Sequence, residues 1–302
     1  MRTKFDQDVL FGLADDDTAE VKKQNQFVEV LKRLSKKKSA VIGAILMVVI
    51  IALALLTPVI APYEYEVQDL YSKNASSSVK HWLGTDSLGR DTLTRLLYGS
   101  RTSLAIGFGA SIFAAVVGTV LGSISGYFGG AVDNLIMRFL DIFQAIPNML
   151  LAITISAVLG SGFVNTIIAI SVGAIPGFAR MARASCMTEA GKEYVEAARS
   201  VNASEGRVIF RHVLPNSLSP LIVMFTMRIS GSIMAASGLS FIGLGIQPPD
   251  PEWGAMVSSG RQWLLKYPEQ ALYPAFCIMI VVFAINLLGD GLRDALDPKL
   301  KN

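Results

Sequence analysis

The chain has 302 residues, 52% of them hydrophobic and only 17% charged, where an ordinary soluble domain carries about 25% charged residues. That deficit points to lipid, and a net charge of +3 is too small to argue for nucleic acid as a partner. Cys186 and Cys277 form neither a zinc spacing nor a disulfide framework and read as inert packing thiols. With only His81 and His212 beside them, no metal site is expected.

Residues 1–39 form a polar tail. Its first part, with Asp15, Asp16 and Asp17, is expected to be disordered. Val21 to Leu34 places Phe27, Val30, Leu31 and Leu34 on one helical face with lysines elsewhere. This pattern suits an interfacial helix on an anionic leaflet, and equally a flexible basic tail. From Ala40 to Ile60 there is no charge. A bilayer-crossing helix needs about 20 apolar residues, so 40–61 is expected to be the first transmembrane helix rather than a signal-peptide core. An extracytoplasmic segment, 62–98, follows. Its Gly84 to Asp91 stretch, GTDSLGRD, imitates the glycine spacing of a phosphate-binding loop. Arg90 and Asp91 occupy the positions that would need Lys and Ser or Thr, so nucleotide binding there is rejected.

Residues 99–302 read as a helical core, with spans at 101–126, 135–159, 163–183, 218–243 and 271–289. With the first, that makes six. The fourth is the weakest, because Pro176 interrupts it and Arg180 and Arg183 close it. In span two, Ala110, Ala114, Gly118, Gly122 and Gly126 recur every four residues and share one ridge. Helices in lipid associate by close backbone approach at small residues, so this ridge is expected to be a helix–helix seam. Charges inside the spans are almost absent, which disfavours a voltage-gated channel or an ion-coupled pump. No catalytic dyad or metal cluster supports a membrane enzyme. Lys32, Arg33, Lys36, Lys37 and Lys38 precede span one, while Lys192, Arg199, Arg207 and Arg211 follow span four. Arg293, Lys299 and Lys301 follow span six. An even span count puts all three groups on one side, so both termini are expected in the cytoplasm.

The loop 184–217 contains a polar stretch, Glu189 to Asn216, of helix-forming composition. Tyr194, Ala197, Ala198 and Val201 fall on one face, with Glu193 and Arg199 elsewhere. Asn202 tolerates a left-handed turn. Ser204 is placed to cap a second helix that runs through Ile209 and Phe210 and stops before Pro215. An apolar helix face outside the membrane needs a partner groove; a solvated connector is the plainer alternative. At the far end of span six, Asp290, Arg293 and Asp294 suggest either a charged lattice or simple interfacial anchoring.

Glu196-Ala197-Ala198, the turn at Asn202 and Leu214-Pro215 together resemble the coupling motif of binding-protein-dependent ABC importer permeases. That family usually has glycine where this chain has Asn202. Longer stretches are similar to the second permease of peptide/nickel-type importers: HWLGTDSLGRDTLTRLLYGSRTSL (81–104), GYFGGAVDNLIMRFLDIFQAIPNMLLAI (126–153), LSFIGLGIQPPDPEWGAMV (239–257) and NLLGDGLRDALDPKL (286–300). Ala236 and Glu269 replace a glutamate and a tryptophan usual in that group. The resemblance implies an all-α, polytopic, six-helix MetI-like fold in a prokaryotic cytoplasmic membrane. It implies partners: a homologous second permease, two ATPase subunits that bind the ATP and magnesium, and an extracytoplasmic solute-binding protein. This chain itself would hold no cofactor and catalyse nothing. Glu196, Ala197, Ala198 and Asn202 would contact the ATPase, and Leu214 and Pro215 would set the return into span five. The solute would be a dipeptide or oligopeptide, with nickel chelates or glutathione as alternatives. The outer segments 81–98 and 245–269 would meet the binding protein.

Overall fold

The computed structural model describes residues 26–296. The tail's first residues, where disorder and the start of the amphipathic helix are expected, lie outside them, as do Lys299 and Lys301. Among the described residues the protein is helical, with one isolated bridge pairing Thr85 and Asp91. Helix α1 (Gln26–Lys36) leads into α2 (Lys38–Ile60). A 3₁₀ turn at Leu70–Ser72 interrupts the following segment. The core comprises α3 (Thr92–Phe128), α4 (Gly130–Gln144), α5 (Asn148–Leu159) and α6 (Phe163–Ala190). A hairpin follows: α7 (Glu193–Ser200), α8 (Glu205–Arg207), a π-helical stretch Val208–Val213 and α9 (Leu214–Asn216). Then come α10 (Leu218–Phe241), α11 (Trp253–Gly260) and α12 (Glu269–Leu296).

Five of the described helices, α2, α3, α6, α10 and α12, are long and apolar enough to cross a bilayer; the α4–α5 pair, bent by 85°, has the form of a broken sixth span or of a re-entrant loop. The break at Ala145–Pro147 corrects the expectation of a continuous third span over 135–159. Pro147 sits at the break with a non-helical ψ of 130° and has no N–H to continue the helix, and ion pairs fix where α4 then lies. Asp133 of α4 takes Arg183 of α6 at 2.6 and 2.5 Å, and Asp141 takes Arg180 at 2.6 Å. Val132, Leu135, Phe139 and Ile142 lie exposed on the opposite face. A helix held by its acidic face across the ends of its neighbours, with an apolar face outward, suits the bilayer boundary. The twelve-residue α5 is about 18 Å long, too short to cross alone. The expected weakness at Pro176 is absent: α6 runs through it without a break and continues past Arg183 to Ala190.

The molecule has two ends. The hairpin end gathers the α7–α9 hairpin, α4, the C-terminus of α3 and the junction of α1 with α12. There Lys37 forms an ion pair with Asp294. The opposite, distal end is closed by the 62–98 segment and α11. α3 and α6 make the central pairing. Cβ atoms built on Gly118, Gly122 and Gly126 would lie 2.6, 2.1 and 2.5 Å from atoms of Phe178, Ala179 and Arg183 respectively. The carbonyl of Ala110 accepts from Ser171 Oγ at 3.1 Å, and Ala114 is fully buried among Ala174, Phe178 and Ala182. α2 stands at the periphery, packed on α12 with Val48, Leu55 and Val59 exposed on its other side.

Candidate functional site

The hairpin is a preformed, buttressed projection. Asn202 has φ +61°, the left-handed value that its short side chain tolerates. Val195, Val208, Ile209 and Val213 are buried and pack with Cys186 of α6 and Tyr127 of α3. Tyr127 ties both arms: its hydroxyl accepts from Arg199 Nε at 3.1 Å and donates to Glu205, while the Arg199 guanidinium lies 4.9 Å from its ring centre. These contacts fix both arms of the hairpin to the end of α3, the longest of the described helices.

Three details depart from the sequence expectation. The inward face of α7 is Val195 with half-buried Ala198, so Ala198 belongs to the hairpin's own core. Tyr194, Ala197 and Val201 remain outward, Val201 79% exposed, and Phe210 of the second arm is 50% exposed. The second arm does not stop before Pro215. A proline clashes with the carbonyl four residues back; here the helix widens instead, and Leu214 N–H donates to Ile209, five back. Leu214 is half-buried and Pro215 exposed at the turn into α10, and Ser204 sits at the helix start without making a side-chain cap. Glu196 is exposed beside Ala197. The outward surface is thus a small apolar patch with a carboxylate at its edge. A groove lined by Asn202, Arg207, Arg211 and His212 flanks it.

Asp290, Arg293 and Asp294 form no closed lattice among the described residues. All three are exposed, and among the described residues Asp294 pairs with Lys37 while Asp290 and Arg293 pair with none. Arg293 faces a cavity of about 780 Å³ between α6, α10 and α12. The same cavity contains Arg228, a charge in the middle of α10 that hydropathy averaging over the span conceals. A lone cation in an otherwise uncharged span is the sequence signal that identifies it.

At the distal end, the 81–104 stretch is a self-bonded knot. Asp86 accepts from the backbone N–H groups of Leu88 and Arg90 and from Arg90 Nε at 2.7 Å. Asp91 caps α3 through Thr94 N–H and pairs with His81 Nδ1 at 2.9 Å. Gly89, at φ +76°, lies against the backbone of Asp69: a Cβ there would sit 1.8 Å from the Asp69 carbonyl oxygen. The glycine spacing that imitates a phosphate loop thus serves turn geometry. Much of 245–269 is wedged into the bundle rather than free. Glu252 is fully buried, accepting from Ser103 at 3.0 Å and from Ala255 N–H at 2.9 Å, and Trp253 donates to the Leu96 carbonyl at 3.0 Å. Tyr71, Val79, Trp82 and Leu265 are left as large apolar side chains exposed at this end. No group of His, Cys, Asp and Glu suited to a metal occurs among the described residues.

Residues 118–302 match the family model for the binding-protein-dependent transport system inner membrane component, and residues 25–76 match that for the N-terminal transmembrane domain of oligopeptide transport permease C. The chain is 44% identical over 275 residues to the glutathione transport system permease protein GsiD of Pectobacterium atrosepticum, covering 91% of each. It is 43% identical over 274 residues to the dipeptide transport system permease protein DppC of Alkalihalophilus pseudofirmus, covering 91% of this chain and 90% of that one. Among solved structures, the MetNI methionine ABC transporter in an inward-facing conformation matches with a TM-score of 0.54 at 21% identity, over 67% of this chain and 96% of that one, a likeness of fold. With its helical bundle, its projecting hairpin and relatives aligned over nine-tenths of its length, the chain belongs to the inner-membrane permease components of binding-protein-dependent ABC transporters.

Proposed function

We propose that this chain is one of two pore-forming subunits of an importer for dipeptides or oligopeptides, driven by ATP hydrolysis in separate subunits. The hairpin carries this reading. It presents Ala197, Val201 and Phe210 to solvent on a base fixed to α3 and α6, and an apolar patch held rigid outside the bundle suits a groove in another protein. Its side is the cytoplasm, where ATP is found and where Lys192, Arg199, Arg207 and Arg211 would satisfy the positive-inside bias. ATP-driven closure of two ATPase subunits would draw the hairpins together and rock the two permease halves, exposing the central path alternately. The exposed Tyr71, Val79, Trp82 and Leu265 offer a docking face for a solute-binding protein at the distal end. Glutathione is itself a tripeptide, so the GsiD and DppC relatives support one solute class, a small peptide bearing a carboxylate.

The deciding experiment is reconstitution in liposomes with the cognate second permease, ATPases and binding protein. Dialanine uptake should require internal ATP and should stimulate its hydrolysis. Uptake that persists without the ATPase subunits would refute the reading in favour of a solitary carrier.

The orientation is open to a separate check. In a cysteine-free background, Ser77→Cys and Ser259→Cys should react with a membrane-impermeant thiol reagent applied to intact cells. Ser200→Cys, on the exposed hairpin, should react only after permeabilisation. The reverse labelling would invert the topology and remove the hairpin from the ATP-containing side.

A further inference from the structure

The central span α10 carries one charged residue, Arg228, about 15 Å along the helix from its hairpin end. An intramembrane arginine is costly against lipid and therefore faces a bundle interior or a wet cavity. Arg228 does so: it lines the cavity of about 780 Å³ together with Met181, Val223, Met224, Met227 and, towards the hairpin end, Arg293. Arg228 Nε is buried and makes no hydrogen bond, and no acidic side chain among the described residues pairs with its guanidinium. The buried arginines of the bundle's distal end, by contrast, are answered: Arg90 by Asp86, and Arg95 by Asp86 and the carbonyls of Tyr65 and Pro249. A half-buried guanidinium with no acidic partner among the described residues, facing an open concavity large enough for a small peptide, is suited to receive a carboxylate. The neighbouring surface fits the remainder of such a ligand. Three thioethers are flexible and polarisable and adapt to side chains of different shape. Arg293 supplies a second cation further along the same cavity, where the ligand would leave.

We propose that Arg228 is a carboxylate-receiving subsite of the transport path, selecting peptides by their C-terminal carboxylate while Met181, Met224 and Met227 accommodate their side chains. This rests on the import reading above and adds to it where in this subunit, and by what chemistry, the solute is held. It also gives a reason for broad selectivity: the charge common to every peptide is read by one fixed group, and the variable part meets only adaptable surface.

The test uses the full complex in liposomes, with Met227→Cys in a Cys186→Ala, Cys277→Ala background. The probes are the anionic sulfonatoethyl and the cationic trimethylammonioethyl methanethiosulfonates. The fixed cation should favour the anionic reagent, and Arg228→Gln should lower the anionic-to-cationic rate ratio about ten-fold or more, with Arg228→Lys keeping most of it. With Arg228 intact, dialanine should slow labelling and its C-terminal amide should not; this arm holds even if Arg228→Gln fails to assemble. Equal effects of dialanine and the amide overturn the proposal, as does indifference to both, the result expected if Arg228 instead pairs with an acid of the second permease. Selective protection by dialanine in a complex that imports no peptide would refute the import reading and leave the subsite standing. ATP-driven dialanine uptake that is unchanged by Arg228→Gln would do the opposite.

Discussion

Val201→Glu combined with Ala197→Arg is expected to abolish peptide-stimulated ATP hydrolysis and uptake while leaving the subunit folded, inserted and able to pair with its partner permease. Both side chains point away from the hairpin's core, Val201 being 79% exposed, so their replacement costs the isolated subunit little. In a docked complex the same positions would be desolvated. Burying two charges without built partners in an apolar contact costs about 2 kcal/mol or more, so a loss of coupling of more than ten-fold is expected. Glu196→Lys should act in the same direction where the facing groove is basic, by turning attraction into repulsion. Ala198 is a poorer choice. It packs with Val195, Val208 and Ile209, so a bulky charge there would break the hairpin itself and a loss of transport would carry no information about docking. The measurement is ATPase rate and dialanine uptake in liposomes, beside the binding protein's unchanged affinity for dialanine. Undiminished stimulation in the double variant would show that the hairpin is a connector only.

Which parts of this architecture could be read from the sequence follows from the kind of signal each carries. Uninterrupted apolar runs such as 40–60 are self-sufficient, because the hydrogen bonds of a membrane helix are satisfied within the segment. The left-handed residue at Asn202 and the four-residue ridge from Ala110 to Gly126 were legible for a similar reason: each is a local pattern with one low-cost conformation. The break at Ala145–Pro147 had a local signal, Pro147, which a hydropathy window does not register. The placement of α4 was concealed because it depends on long-range pairing, Asp133 and Asp141 with arginines some 40 to 50 residues away. Pro176 misled in the other direction, since buried packing against α3 keeps α6 continuous where a proline favours a break. The assignment of Ala198 to the outer face failed by one helical position: a face defined only by Tyr194, Ala197, Ala198 and Val201 omits Val195, which is the residue the bundle covers. Arg228 was hidden by averaging, since a single charge barely changes the mean hydropathy of 24 residues.

Gly122→Leu is expected to remove assembled transporter from the membrane. A Cβ at this position would lie 2.1 Å from the Ala179 carbonyl oxygen and 2.8 Å from Ala182 Cβ, so even alanine requires the backbones of α3 and α6 to separate. Repacking cannot relieve a clash with backbone, and removing the methyl of Ala182 would answer only the lesser contact. Overpacking costs roughly 1–3 kcal/mol where side chains can yield, and this site sits at or above the top of that range. The damage would also spread, because the same seam holds Tyr127 and Cys186 at the height where the hairpin docks, so opening α3 from α6 loosens the hairpin's base. Gly122→Ala should lower the yield of folded complex and Gly122→Leu should nearly eliminate it. Gly191→Ala is the control, since a Cβ there meets nothing within 4 Å and the backbone angle, φ −85°, suits any residue. Thermal stability and detergent-extracted yield of the complex report the effect without depending on solute or ATP. A Gly122→Leu complex as stable as the unaltered one would mean that α3 and α6 do not approach closely along this ridge.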